Sequence, residues 1–333
     1  MVDVYEVRDL MEKDLLSYDD VVGVGIGESE RRVRVYVKEW RSEVLRKIPK
    51  KLAGYYVEVI EAGVFRPLSM LKMDIMDVVD RSRTMRWRPA PCGVSIGHFK
   101  ITAGTLGAVV YRDGRPFILS NNHVLANCDC EWETRASVGD HVYQPGPIDG
   151  GSELDAIARL SSWVKLGRTG NLVDCALAEP ISPDLVEASL LGVGGYGGVA
   201  SPRPGMAVVK SGRTTAVTCG TIIDVDATIK VEYPIGTLEF RGQIITTRMA
   251  SGGDSGSLLV DAASGKVVGL LFAGSDRLTA HNNITYVIEA LGFKLPPKPA
   301  VPPRITVDYG KISLGISATA ILVGGVLLSG VRR

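Results

Sequence analysis

Three short segments carry side chains suited to activating a hydroxyl group. "FILSNNHVLA" sets His123 just after an apolar run, "NLVDCALAE" sets Asp174 among Leu172, Val173, Ala176 and Leu177, and "MASGGDSGSLLV" sets Ser255 in a glycine-rich turn. A serine hydroxyl is a weak nucleophile until a base takes its proton. Histidine titrates near neutrality and can take and return that proton, while a carboxylate fixes the imidazole tautomer and stabilises the imidazolium. Each signal is ordinary alone: Gly, Ser and Asp build common turns, and a lone histidine beside a strand is more often structural. The aspartate is more telling, because a carboxylate in apolar surroundings is costly unless paired or hydrogen-bonded, and an imidazole N–H suits it. The glycines have a separate task. Backbone N–H groups must point at a developing oxyanion, and glycine permits the conformations that aim them, so Gly253 and Ser255 are the expected donors. Asp155, in "ELDAIARL", competes for the acid's place from a less apolar setting.

Positioning such residues requires a rigid frame, and the chain from about Gly93 to Leu291 supplies many short β-rich runs, among them "GTLGAVVY", "MAVVKSG" and "KVVGLLFAG". Gly, Pro, Asn and Asp separate them and no long amphipathic helix intervenes, a pattern that predicts an antiparallel barrel or sandwich. Residues 1–88 read differently. Val7, Leu10, Met11, Leu15 and Tyr18 share one helical face, "VVGVGIG" is a buried strand, "RRVRVYVK" alternates, Ser42 heads a short helix limited by Pro49, and "YYVEVIEAG" is a third strand. This order predicts a small α/β domain with helices over a sheet. Gly23, Gly25 and Gly27 do not mark a nucleotide site, since Glu28 stands where a phosphate loop continues and a strand follows instead of a helix. "GVGGYGG" (Gly192 to Gly198) reads as a mobile loop between two β units, with no Lys-Ser/Thr to cradle phosphate.

Composition narrows the function classes. The chain has 333 residues, 45% hydrophobic and 23% charged, enough for more than one folded unit. Its 38 basic and 37 acidic residues give a formal net charge of +1, so no global field recommends nucleic acid as partner. Five cysteines, an odd and scattered set, read as free thiols, and Cys128-Asp129-Cys130 lacks the second pair that a metal site needs. His98, His141 and His281 sit in no motif and read as surface or structural. No secretory signal opens the chain, because Asp3, Glu6, Arg8 and Asp9 charge its first stretch. At the other end, "KLPPKPAVPPR" reads as a stiff linker within 295–311, leading to an uncharged run of twenty residues, Ile312 to Val331. As a helix that run rises about 30 Å, the thickness of a hydrocarbon core. The expectation is a C-terminal transmembrane anchor over 312–331 with the bulk of the chain on the cytoplasmic side; Ala320 with Gly324, and Gly325 with Ser329, have helix-pairing spacing.

Taken jointly, "SNNHVLA", "VDCALAE" and "GGDSGS", in that order, resemble the catalytic blocks of the trypsin-like, chymotrypsin-fold serine peptidases. "KSGRTTAVTCGTI" (Lys210 to Ile222) is similar to a segment opening the second barrel of bacterial members. The wider pattern looks like an intracellular bacterial and archaeal branch related to plant narrow-leaf-type peptidases. The resemblance covers Pro91 to Leu291 and, more loosely, the leader. It implies a mainly β peptidase domain over 89–294 with two antiparallel six-stranded barrels. His123 and Asp174 would come from the first and Ser255 from the second, with an acyl-enzyme mechanism and no metal or organic cofactor. Met249 falls where the family's primary specificity residue would lie, which implies an uncharged pocket. The sequence departs from the secreted members' disulfides. In zymogen-type members a freed N-terminus pairs with the aspartate before the serine, which an intact leader of about ninety residues would forbid for Asp254 unless it is cleaved off. The expected function is serine endopeptidase acting on protein or peptide substrates. The alternatives are a catalytically silent protease-fold binding or scaffold module tethered to a membrane, and a self-processing chain whose only substrate is its own leader or Pro-rich linker.

Overall fold

A computed structural model of the protein describes residues 3–27, 32–68 and 81–297. The expected linker lies largely, and the expected anchor wholly, outside the described residues. Among the described residues no helix is long and apolar enough to cross a membrane.

The chain is mainly β. One antiparallel sheet of seven strands runs in the order Gly104–Thr105, Ser95–His98, His141–Tyr143, Ala156–Trp163, Ala176–Pro180, Arg115–Ser120 and Ala108–Arg112. Apolar residues from these strands, including Ile96, Val110, Ile118, Leu160 and Leu177, fill its core. A second sheet follows the path Ala207–Gly212, Leu258–Asp261, Val267–Gly274, Leu278–Asn283, Gly236–Thr247, Ala216–Tyr233. A further pairing between Ala207–Gly212 and Ala216–Tyr233 joins the two ends of that path. The helix Ile284–Leu291 closes the β-rich region, with the Asn283 side chain accepting from Thr285 N–H at its start.

The leader forms its elements in the expected order: helix Val4–Leu16, strands Val21–Gly27 and Arg32–Val37, helix Ser42–Lys47 and strand Tyr55–Glu61. It has its own apolar core of Val7, Leu15, Val24, Ile26, Val33 and Val35, among others. Its sheet nevertheless continues that of the second β unit, because Val21–Gly27 pairs antiparallel with Ala216–Tyr233 at Gly23↔Ile229 and Val24↔Thr228. That junction changes which face of the first helix is buried. Leu10, assigned to the apolar face by periodicity, is 74% exposed, while Arg8 and Glu12 are buried. The cause is polar pairing across the junction: Arg8 Nη2 lies 2.8 Å from Asp226 Oδ2, and Thr228 Oγ1 donates to Glu12 Oε2 at 2.8 Å.

The same junction accounts for the glycine pattern of "VVGVGIG". A Cβ on Gly25 would stand 2.0 Å from Asp224 Oδ2, so only glycine lets the two strands approach. The Gly192 to Gly198 loop differs from its expected mobility at one anchor. Tyr196 is buried, donating its hydroxyl to Val109 O at 2.9 Å and accepting from Val109 N at 2.6 Å.

Candidate active site

His123 sits in the short helical turn Asn122–Leu125, directly after the strand Arg115–Ser120. Asp174 lies just before the strand Ala176–Pro180, which pairs with Arg115–Ser120 at Ser120↔Ala176. Neighbouring strands therefore deliver base and acid to the same end of one sheet. His123 Nδ1 is 2.5 Å from Asp174 Oδ2, and His123 N–H donates to Asp174 Oδ1 at 3.2 Å. An ionised carboxylate only accepts, so Nδ1 carries the proton and Nε2 is left as the basic nitrogen. Nε2 is buried and has no hydrogen-bond partner among the described residues. Asp155 is not at this site. Its carboxylate caps a helical turn by accepting from Ser152 N and Oγ at 3.0 and 2.9 Å.

Asp174 is fully buried but well supplied with donors. Tyr233 Oη donates to Oδ2 at 2.5 Å, Asn121 Nδ2 donates to the Asp174 carbonyl at 2.7 Å, and Asp174 N–H donates to Asn282 Oδ1 at 2.9 Å. Burial, then the charge and hydrogen bond of Asp174, push the Tyr233 phenol well above its ordinary pKa, so it remains a donor. Sequence reasoning missed Tyr233. Its signal was the length of the strand Ala216–Tyr233, at 18 residues far beyond ordinary strands, which carries the hairpin tip across to the other sheet. Cys128 and Cys175, two thiols within Asp174's field, are raised well above their ordinary pKa by burial first and Asp174's charge second. They are inert thiols, and all five cysteines are free.

Ser255 lies in the turn between Gly236–Thr247 and Leu258–Asp261 and is fully buried. Its Oγ donates to the Phe272 carbonyl at 3.2 Å. Gly253 has φ +96°, and a Cβ there would meet Thr214 Oγ1 at 2.5 Å, so glycine is required on both conformational and steric grounds. That conformation aims the Gly253 N–H outward from the turn, where it donates to the Leu68 carbonyl at 2.7 Å.

Asp254 holds the turn from inside. Its Oδ1 accepts from Thr214 and Thr215 N–H at 2.9 and 3.1 Å, and its Oδ2 from Ser251 N–H at 3.0 Å and Thr215 Oγ1 at 2.6 Å. Lys210 Nζ, also fully buried, is 3.2 Å from Oδ2. Burial pushes this carboxyl up, but the Lys210 charge and the converging donors outweigh it and hold its pKa below the ordinary value. The counter-charge that the leader would deny to a freed N-terminus is thus supplied by a side chain, Lys210. Met249 is buried. It packs among Met206, Val208, Ile222, Ile244, Leu259 and Val268, while Ala250 and Leu271 form the apolar patch that receives Leu68.

No protein-family model matches the sequence, and no curated protein matches it. Among solved structures it is similar to Thermobifida fusca Protease A at 22% identity and a TM-score of 0.47, covering 62% of this chain and 100% of that one. It is also similar to Cellulomonas bogoriensis chymotrypsin, at 20% identity and a TM-score of 0.44, covering 62% of this chain and 98% of the other. For the Rv3671c protease in its inactive form the values are 18% and 0.37, with 67% and 96% covered.

Proposed function

We propose that the protein is a serine endopeptidase of the trypsin-like kind, with its six-strand circuit and seven-strand sheet forming the two barrels of a chymotrypsin-like fold. One observation carries this reading: Asp174 fixes the His123 tautomer at 2.5 Å while Nε2 is buried without a partner among the described residues. A buried base with an unmet acceptor is a poor structural element and a ready proton acceptor. Ser255 Oγ turns from Phe272 O to Nε2, loses its proton there and attacks the acyl carbon. The Gly253 N–H, with that of Ser255, holds the oxyanion. His123 returns the proton to the leaving amine, and water then repeats the sequence on the acyl-enzyme. Protein or peptide chains are the substrates.

The silent-module reading finds support in the hydrogen bond from Ser255 Oγ to Phe272 O in place of His123. A fluorophosphonate probe separates the two. Because Leu68 lies against the site, the assay includes Leu68→Asp, whose charge the apolar patch of Ala250 and Leu271 rejects. Labelling of wild type or Leu68→Asp, abolished by Ser255→Ala and by His123→Ala, is the expected result. A folded Leu68→Asp protein that takes up no label establishes the silent module instead.

A further inference from the structure

The end of the leader's described segment lies across the candidate site in the manner of a bound peptide. Arg66–Pro67 pairs antiparallel with Val267–Gly274, at Pro67↔Ala273 and Arg66↔Gly274. Leu68 N–H then donates to Phe272 O at 3.4 Å, the same carbonyl that accepts from Ser255 Oγ at 3.2 Å. On its other side the Leu68 carbonyl oxygen accepts from Gly253 N–H at 2.7 Å. The backbone of Leu68 is thus fixed between the serine's own acceptor and the expected oxyanion donor, as a peptide group held for attack would be. The side chain is fully buried against Ala250 and Leu271. Opposite it, a Cβ on Gly274 would stand 3.0 Å from Leu68 Cδ2, so glycine there leaves room for a leucine-sized group.

We propose, on the reading above, that the protein is its own first substrate: it cleaves the peptide bond after Leu68, and the leader then stays in place as a bound product. Ser255 Oγ adds to the Leu68 carbonyl carbon and passes its proton to His123 Nε2. The C–N bond to Ser69 breaks as His123 protonates the Ser69 amine, and one water hydrolyses the ester to the Leu68 carboxylate and free Ser255. Cleavage within the intact chain requires a site that is built before any cut. Lys210 meets that requirement by neutralising Asp254 without a new N-terminus. Leu68 also names the substrate class: an extended segment with a leucine-like residue on the acyl side of the cut. After cleavage the leader remains held by contacts that the cut does not touch, including the Gly23↔Ile229 pairing, the Arg8–Asp226 ion pair and buried Phe65, whose carbonyl accepts from Glu232 N–H at 3.0 Å. Held beside the site by those several contacts, whose combined binding keeps its end at high local concentration, it blocks the site until displaced.

The test is intact mass under denaturing conditions, with gel filtration in native buffer. Wild type is expected as two pieces, residues 1–68 and a chain beginning at Ser69, that elute together; Ser255→Ala is expected as one chain. Leu68→Asp should lose that cut, and its fluorophosphonate labelling rate should rise about tenfold or more as the site is vacated, while Leu68→Met should still be cut. A wild-type chain that stays whole, or is cut at another bond, while Leu68→Asp takes up label overturns self-cleavage and leaves the peptidase intact. Equal cutting of Ser255→Ala also overturns it. Absence of label from every variant defeats the peptidase reading itself.

Discussion

Asp254 precedes Ser255 and ties the turn at 252–256 to Thr214, Thr215 and Lys210. Four donors and one ammonium converge on a carboxylate with no solvent access. Removing one partner of such a pair is far more costly than never having built it, since the survivor keeps its desolvation penalty. Lys210→Met should therefore lower stability by about 3–5 kcal/mol in urea unfolding, and the refolded turn should lose its reaction with fluorophosphonate. Lys210→Met combined with Asp254→Asn should recover part of the stability. A Lys210→Met protein that unfolds and labels like wild type would show that the pair does not hold the turn. The pair also has a pH signature. Asp254 is depressed in the folded state, so its contribution is in place above about pH 4, the unfolded carboxylate value, and is lost as pH falls through the lower folded value. At this scale the pairing of His123 with Asp174 was legible, and so was a glycine-only turn at Gly253, because local apolar or glycine-rich context marks both. Tyr233, Lys210 and Leu68 were not, since each acts through a partner far away in the chain: 59 positions for Tyr233, 44 for Lys210.

The strands Val21–Gly27 and Ala216–Tyr233 meet around one buried acid. Asp224 Oδ2 accepts from Ile26 N–H and Tyr36 Oη, both at 3.0 Å, with Arg34 and Asp226 as the charged neighbours. Burial raises its pKa to about 6, against hydrogen bonds from Asp226 N–H and Tyr36 that pull it down. Ile26 and Tyr36, which help enclose Asp224, belong to the leader, so undocking would expose the carboxyl and return it toward the ordinary value of about 4. A group whose pKa is raised by docking favours the docked state most when protonated. Its contribution is full below about pH 4 and is lost as pH rises through about 6, a difference of about 100-fold in leader affinity. Leader release, followed by peptidase activity or by separation on gel filtration, should thus be greater at pH 8 than at pH 5. Asp224→Asn keeps an acceptor for both donors and should flatten that dependence; an unchanged pH profile in this variant would place the dependence elsewhere. The leader's element order was readable from periodicity and turn residues, which are local. Its attachment was not, because Arg8 and Glu12 look like a solvent face until the strand bearing Asp226 and Thr228 is brought against them.

At the scale of the molecule, the β-rich texture from Gly93 to Leu291 announced an antiparallel architecture because strand alternation and turn chemistry recur every few residues. Strand order was beyond reach. Pairings such as Ala207–Gly212 with both Ala216–Tyr233 and Leu258–Asp261 depend on long-range closure, and no local signal reports them. One further expectation rests on sequence alone. Ile312 to Val331 carries no charge and shows no polar stripe, whereas a helix buried against a β core presents one face to water and keeps polar residues there. A run of that length is matched to a bilayer, and each central Leu, Ile or Val favours insertion by about 0.3–0.6 kcal/mol. The full-length protein should therefore sediment with membranes and require detergent for release, and a chain ending at Lys311 should move to the soluble fraction with its self-cleavage intact. Cleavage after Leu68 would then leave the peptidase on the membrane, with the leader retained only by its docked strand. If the full-length chain is already soluble without detergent, the segment is no anchor.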